Sequence, residues 1–582
     1  MSPPEEEGWH AEASLTVRVE AGAVRGRVAE AEGAAGCHRR YRYRSFQGIP
    51  YARPPVGQLR FKPPEAVEPW EGVRDAICEG AECAQLDFWE RHYKGDEDCL
   101  YLNVYTPLVE PAPSPGGWPV MVWVHGGGFA HSSGTTREYG PDYLLAHQVI
   151  LVTFNYRLGP LGFLTTGDAA CPGNMGLRDV LAALHWVRRN IAAFVGDADN
   201  VTIFGESAGS IICHGLLLSP AADGLFHKVI CQSGVTFAAA LNSPVADRSW
   251  RLARHMGLPA GASSHEMLDF LRGQPARALV ENQMAARSQQ DVDMLEQFPF
   301  VPVLEAAGSP GALITREPAD LLRSGAFRQR PLIIGFTSRE GLLFFKDILQ
   351  NKSAIPDLDK NFHKIIPSNV PMKDPLRVFV GKKIKKFYFG SQPFDESSIG
   401  TYCDVRGDML FLYPSVLAGR LHARLRDAAP LYLYHFAVDG RLNMFKKRFG
   451  ADAHTGASHG DDVLHLFTAD CCRDVQLEPD CLEARTVARM TRMWTNFAKT
   501  GNPTPDAGDP VLGGVAWPSS GGGQLRYLDI GGGGLRVLSE LPPAYQRRVA
   551  FWDGLAASPV VLKVVEFVVC CRAALARLLR RN

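Results

Sequence analysis

The sequence is 582 residues long, 46% hydrophobic and 21% charged, a composition typical of a globular protein with a large core. Its 62 basic and 62 acidic residues balance, so no net charge favours binding to nucleic acid or to an anionic membrane surface. The 13 cysteines are an odd number spread over a long chain, which excludes a small disulfide framework.

The beginning of the sequence is acidic and contains no apolar run, and no stretch of about 20 apolar residues occurs anywhere. Neither a signal peptide nor a membrane span is therefore predicted. We expect an intracellular, cytoplasmic protein, unless the start of the sequence is incomplete.

Apolar runs typical of buried strands alternate along the chain with helix-like segments. The first runs into a glycine loop and the third meets a tight turn; in chain order they occupy 119–128, 149–159, 200–209, 227–234, 331–341 and 430–436. Residues 175–194 carry apolar side chains at helical spacing. This alternation predicts an α/β fold with a large, mostly parallel central sheet and helices on both faces.

The third run contains the pattern G-x-S-x-G, centred on Ser207. In this pattern the glycines leave room for a sharp turn from a strand into a helix, which exposes the serine hydroxyl. A second match is centred on Ser458, but no strand-like run precedes it. The strand-like residues before Ser207 and the helix-like residues after it favour Ser207 as a nucleophile over an ordinary glycine turn.

A second motif, His125-Gly126-Gly127-Gly128, follows the first predicted strand. Acyl transfer places negative charge on the carbonyl oxygen, and glycines allow backbone N–H groups to approach that oxygen closely. A plain glycine turn is the alternative. The order of the two motifs and their positions after strands favour an oxyanion-binding loop.

Together the motifs resemble those of the carboxylesterase/cholinesterase family of α/β-hydrolases, the type-B carboxylesterases. Further family-like segments extend the resemblance over almost the whole chain, at 46–61, 97–104, 155–159 and 172–174. The resemblance implies a single α/β-hydrolase domain over 16–555. It would lie between a flexible N-terminal segment, 1–15, and a C-terminal extension, 556–582.

The same resemblance identifies partners for the serine. His459, in Ser458-His459-Gly460-Asp461-Asp462, matches the catalytic histidine of the family, and Glu340 matches the catalytic acid. The chain order of serine, glutamate and histidine is that of α/β-hydrolases. Ser233 matches a family serine near the acid, and a supporting role is expected for it.

The implied reaction requires neither a cofactor nor a metal ion. Ser207 attacks an ester carbonyl, His459 accepts the serine proton, and Glu340 orients the imidazole. The oxyanion is expected to be bound by backbone N–H groups of Gly127, Gly128 and Ala208.

Two features bear on the subgroup. Cys83 and Cys99 occupy positions that often pair in secreted relatives, and their pairing is left open here. Leu258 and Phe270 stand where the second family disulfide would have its cysteines. Loss of both partners fits a reducing compartment, so the chain resembles the intracellular insect alpha-esterases.

Trp89 lies ten residues before Cys99, the offset of the choline-binding tryptophan in cholinesterases. Two interpretations remain open for it. The indole could bind a quaternary ammonium group through a cation–π contact, or it could simply pack in the cavity wall, which we favour.

The C-terminal extension carries an apolar run followed by arginines. Segment 559–582 could make peripheral membrane contact, with Cys570 and Cys571 as acylation candidates. A docked helix or a disordered tail is favoured over this.

The predicted function is hydrolysis of small or medium-sized apolar carboxylic esters, which would permit detoxification of xenobiotic esters or capture of organophosphates. The alternatives are a non-catalytic adhesion or binding member of the fold, and a specialised hormone-ester or acylglycerol hydrolase. Matches at every catalytic position favour an enzyme. An acyl or alcohol pocket is expected to be lined by Phe298, Phe300 and Val301.

Overall fold

The computed structural model describes residues 15–32, 40–108, 116–236, 243–293, 296–306, 308, 311–367, 374–425 and 429–557. The segments 1–15 and 556–582 therefore lie almost entirely outside the described residues, as do Cys570 and Cys571. The predictions made for them stay predictions.

Within the described residues, eleven strands form one central sheet in the order β16-β15-β14-β13-β12-β11-β9-β10-β8-β4-β3. The seven strands from β15 to β10 in this order are parallel, whereas the outer strands pair antiparallel. The predicted α/β fold is confirmed. The strands of the chain are β1 (Thr16–Val19), β2 (Gly22–Arg25), β3 (Arg27–Glu32), β4 (Arg40–Pro50), β5 (Val73–Asp75), β6 (Gln85–Leu86), β7 (Tyr93–Lys94), β8 (Tyr101–Pro107), β9 (Trp118–Val124), β10 (Ile150–Phe154), β11 (Gly196–Glu206), β12 (Lys228–Gln232), β13 (Leu332–Thr337), β14 (Leu431–Ala437), β15 (Tyr527–Gly531) and β16 (Gly534–Leu538).

Helices follow most of the parallel strands. The α-helices are α1 (Thr136–Tyr139), α2 (Asp142–Leu145), α3 (Gly159–Phe163), α4 (Met175–Asn190), α5 (Ala208–Leu218), α6 (Val245–His255), α7 (Ser264–Arg272), α8 (Ala276–Glu281), α9 (Gln289–Asp293), α10 (Pro318–Ser324), α11 (Phe345–Gln350), α12 (Ile355–Lys360), α13 (Asp374–Phe389), α14 (Ile399–Gly407), α15 (Tyr413–His422), α16 (Met444–Arg448), α17 (Leu482–Thr500) and α18 (Pro543–Ala557). A π-helical turn, Asp408–Leu412, connects α14 to α15. No helix of the described residues is both long and apolar enough to span a bilayer.

The two faces of the sheet are covered by separate apolar cores, because successive side chains of a strand point to opposite faces. Ile203 of β11 packs in the core that includes α4 and α5. Its neighbour Phe204 packs in the core on the other face, which includes Trp494 of α17. Burial on both faces explains why the central strands are almost continuously apolar.

A disulfide joins Cys83 to Cys99, the pair that the sequence left open. It closes the loop that carries Trp89 onto the residues before β8. Disulfides persist mainly in oxidising compartments. The bond therefore adds no support to an intracellular location, which stays a prediction.

The turn from β11 into α5 places Ser207 at φ 54° and ψ −121°, a backbone conformation that non-glycine residues rarely adopt. The flanking glycines leave no room for side chains. A Cβ atom on Gly205 would lie 2.5 Å from the carbonyl oxygen of Val124, and one on Gly209 would lie 1.9 Å from the same oxygen. The G-x-S-x-G spacing therefore follows from close contact between the turn and the end of β9.

This contact makes Gly209 intolerant of a methyl group. We expect Gly209→Ala to lower the free energy of unfolding by roughly 1–3 kcal/mol, because the backbone of β9 must move. Gly215→Ala in the same helix is the matched control, since its Cβ would approach no atom closer than 3.4 Å. Equal urea-unfolding midpoints for the two variants would contradict this account.

Candidate active site

A cavity of about 420 Å³ opens at the carboxyl ends of the parallel strands and brings together several of the predicted residues. Ser207, His459, Gly127, Gly128 and Ala208 all line it. Much of the remaining wall is aromatic: Phe88, Trp89, Phe129, Tyr139, Phe298, Phe344, Phe411, Phe445 and Phe449. Phe298 and Val301 line the cavity as expected, whereas Phe300 is buried in the core and does not.

Glu340 and His459 form a buried pair. The Nδ1–H group of His459 donates to Oε2 of Glu340 over 2.7 Å. The other carboxylate oxygen, Oε1, accepts from the Ser233 hydroxyl and from the Thr337 backbone N–H, each at 2.7 Å. With Nδ1 occupied in this way, a neutral His459 presents a lone pair on Nε2, the atom that a general base uses.

Ser233 thus lies where the sequence placed it, in direct contact with the predicted acid. Its side chain is fully buried, and its backbone has the unusual φ of 52°. The Ser233 N–H donates to Gly335 of the neighbouring strand β13 over 2.9 Å. These contacts fix the hydroxyl beneath Glu340, consistent with a supporting role.

The loop that carries His459 is ordered by Asp461. One carboxylate oxygen, Oδ2, accepts from the Ser458 N–H over 2.7 Å and from the Asn443 side chain over 3.0 Å. The other accepts from the Phe445 N–H over 3.1 Å. Burial nevertheless raises the pKa of Asp461 to about 7. Ser458, the second G-x-S-x-G serine, is fully buried in this loop, so only Ser207 reaches the cavity.

Glu206, the residue before the serine, is the functional group that sequence reasoning missed. Its Oε1 lies 3.0 Å from Nε2 of His459. The contact is an ion pair without hydrogen-bond geometry, and neither atom has a hydrogen-bond partner among the described residues. No local pattern singled it out, and the structure shows that this side chain, at the end of β11, lines the same cavity as Ser207.

His459 therefore lies between two carboxylates. Burial alone would disfavour a charged imidazole, but Glu206 and then Glu340 outweigh it and raise the pKa of His459 to about 10. An ionised Glu206 also repels the Nε2 lone pair of a neutral imidazole. The resting arrangement accordingly favours a protonated, cationic His459, whose charge is balanced by Glu206 across 3.0 Å.

The glycine loop lies opposite Ser207. Gly127 and Gly128 have φ of 94° and 60°, conformations that favour glycine. A Cβ on Gly127 would lie 2.2 Å from the carbonyl oxygen of His131, and one on Gly128 2.2 Å from the Phe298 ring. The loop thus exposes bare backbone to the cavity.

His125, which precedes this loop, is buried and stacks on Tyr156 with ring centroids 4.3 Å apart. Burial lowers the pKa of His125 to about 4, so the imidazole is neutral. The Tyr156 hydroxyl donates to the His125 carbonyl oxygen over 2.9 Å. The stack supports the loop, and it was not predicted.

Trp89 lines the cavity, but protein cations already lie against its ring. The Arg448 guanidinium carbon is 5.1 Å and the Lys346 Nζ is 6.0 Å from the indole centroid. Phe445 and Phe449 pack beside it at 6.2 and 5.2 Å. These contacts favour the packing interpretation over choline binding.

Comparison of the sequence with known proteins identifies the family of the chain. A model described as the carboxylesterase family matches residues 13–551. The chain is 35% identical to a juvenile hormone esterase of Tribolium castaneum over 481 residues, 80% of each chain. It is also 35% identical to a carboxylic ester hydrolase of Bombus ignitus over 515 residues, covering 86% of this chain and 88% of the relative.

A solved structure agrees with the sequence matches. The crystal structure of juvenile hormone esterase from Manduca sexta, with OTFP covalently attached, aligns with a TM-score of 0.80 and 31% identity. The alignment covers 93% of this chain and 99% of that one. The chain therefore belongs to the carboxylesterase family and is a carboxylic ester hydrolase.

Proposed function

We propose that the protein hydrolyses apolar carboxylic esters through an acyl-enzyme on Ser207, with His459 and Glu340 as its partners. The observation that carries the proposal is the shared cavity, which is lined by Ser207, Gly127 and Gly128 and by His459, whose Nδ1 is bonded to Glu340. A nucleophile, an oriented base and backbone donors are the parts that acyl transfer requires.

In the proposed reaction, Nε2 of His459 takes the Ser207 proton as the hydroxyl attacks the ester carbonyl. The N–H groups of Gly127, Gly128 and Ala208 stabilise the oxyanion, each worth roughly 10²–10³ in rate. His459 then protonates the leaving alcohol, and water reverses the sequence to release the acid. Glu340 holds the imidazole and stabilises its cationic form.

The aromatic wall supports apolar substrates, because phenyl and indole surfaces gain most from contact with apolar groups. The names of two relatives point the same way. One relative is named juvenile hormone esterase. Another, a protein of Mus musculus named pyrethroid hydrolase Ces2a, is 32% identical to this chain over 480 residues. We infer two candidate substrate classes. A hormone ester would suit a specialised enzyme, and xenobiotic esters would suit a detoxifying enzyme of broad specificity.

Replacement of the nucleophile tests the proposal directly. We expect Ser207→Ala to lower kcat for p-nitrophenyl butyrate by roughly 10⁴-fold or more. Ser458→Ala is the matched control, because Ser458 has the same sequence pattern but a buried hydroxyl without a hydrogen-bond partner among the described residues. Comparable activity in Ser207→Ala and the wild type would overturn the proposal.

The contact between Glu206 and His459 predicts the pH dependence. The base form of His459 exists only above its raised pKa, so kcat/KM should rise with pH and reach half its maximum well above pH 6.5, the ordinary imidazole pKa. Glu206→Gln removes one negative charge and should shift this midpoint down by roughly 1–3 pH units.

Glu138→Gln provides the control for that shift, because Glu138 lines the same cavity and bonds to Ser132 rather than to His459. Its pH midpoint should stay close to that of the wild type. An unchanged midpoint in Glu206→Gln would show that Glu206 does not set the proton affinity of the base.

The cations beside Trp89 predict discrimination against choline esters. We expect kcat/KM for 3,3-dimethylbutyl butyrate to exceed that for butyrylcholine, its isosteric cation, by roughly tenfold, or about 1.4 kcal/mol. Arg448→Gln should narrow the ratio, because it removes one of the repelling charges. Preference of the wild type for butyrylcholine would restore the choline interpretation.

A further inference from the structure

Two adjacent cysteines, of which one lines the cavity of Ser207, have no part in the proposed reaction. Cys471 and Cys472 belong to a short 3-10 helix, Asp470–Cys472, and their Sγ atoms are 3.8 Å apart. Cys471 lines the same cavity as Ser207. Both side chains are half-buried, and both are free thiols.

The pair has the electrostatics of a reactive thiol. A hydrogen bond from Cys472 lowers the pKa of Cys471, and the nearby Arg448 guanidinium adds to this effect against the opposing effect of burial. The same contact raises the pKa of Cys472. One sulfur of the pair thus keeps its proton while the other has thiolate character, which is the nucleophilic form.

The other free thiols of the described residues differ in their surroundings. Four are fully buried, and burial raises the pKa of each: Cys171, Cys213, Cys231 and Cys403. Cys481 accepts from the Ala484 N–H over 3.3 Å at the start of α17, and Cys78 is exposed. None of these six lines the cavity of Ser207.

We propose that Cys471 and Cys472 form a two-thiol binding site for trivalent organoarsenicals, and that its occupation blocks the ester cavity. Trivalent arsenic is soft and prefers sulfur ligands, and an arsenic atom that carries one organic group offers two positions to a pair of neighbouring thiols. An aryl group on that arsenic would enter a cavity whose wall carries several aromatic rings, among them Phe445 and Phe449.

The binding step is a condensation without change of oxidation state. Phenylarsine oxide, C₆H₅As=O, reacts with the two thiols to form two As–S bonds. Both S–H bonds break, and their protons leave with the arsenic-bound oxygen as one molecule of water. Arsenic remains trivalent, so no oxidant or reductant takes part.

Phenylarsine oxide is also the probe, applied to the reduced full-length chain in the presence of excess 2-mercaptoethanol, which displaces arsenic from single thiols. The sequence contains a second adjacent pair, Cys570 and Cys571, outside the described residues. The C570S/C571S variant is therefore the matched control for C471S/C472S, and C481S controls for a single half-buried thiol.

Intact-mass spectrometry should find one phenylarsenic group on C570S/C571S. The C481S variant should retain the same group, besides any group held by Cys570 and Cys571. Peptide mapping of the wild type should place a group on the peptide that contains residues 471 and 472. Hydrolysis of p-nitrophenyl butyrate should fall by about tenfold or more, because the bound group fills substrate space, and 2,3-dimercaptopropanol should restore it.

Hydrolysis by the C471S/C472S variant, measured against its own untreated rate, should be insensitive to phenylarsine oxide. The proposal is overturned if C570S/C571S retains no arsenic, if C471S/C472S is inhibited like the wild type, or if arsenic is retained at residues 471 and 472 without loss of hydrolysis. The mass measurements do not depend on catalysis, so they report on the thiol site even if the proposed nucleophile is wrong.

Discussion

The arrangement of the site depends on one steric contact, between the strand-to-helix turn at Ser207 and the end of β9. Gly205 and Gly209 both press against the carbonyl oxygen of Val124. The residues that follow Val124 are His125 and the glycine loop, so the contact that strains Ser207 also sets its position relative to Gly127 and Gly128. Ser207 and the glycine loop are therefore positioned together, each directly after one of two neighbouring parallel strands.

The charges around His459 are the second constraint, and they oppose the role of base that we propose for this residue. Glu340 orders the imidazole through Nδ1, whereas Glu206 lies 3.0 Å from Nε2, the atom that accepts the serine proton in the proposed reaction. Both side chains are buried, so water screens this interaction poorly. In the proposed reaction a cationic His459 must lose its proton before it can accept one from Ser207, which couples the reactivity of the serine to the charge of Glu206.

The sequence predicted the centre of the fold better than its edges. The six strand-like runs overlap β9 to β14, because burial on both faces makes such strands continuously apolar. The outer antiparallel strands, such as the charged β4 (Arg40–Pro50), carry no comparable signal. At the site, Ser207 follows from its local pattern, but Glu340 and His459 lie far apart in the chain and required the family resemblance. The contacts of Glu206, His125 and Asp461 arise only when separate strands and loops meet, so no local pattern revealed them.

Trp89 has the offset of the choline-binding tryptophan of cholinesterases, but the surrounding cavity wall favours the packing interpretation. Trp89 is held in a loop closed by the disulfide between Cys83 and Cys99, and α16 brings Arg448 to its ring. A ring that already interacts with a guanidinium gains little from a second cation and would hold it beside a like charge. The same guanidinium lowers the pKa of Cys471. One exposed arginine thus makes this part of the cavity unfavourable to cations and favourable to a thiolate.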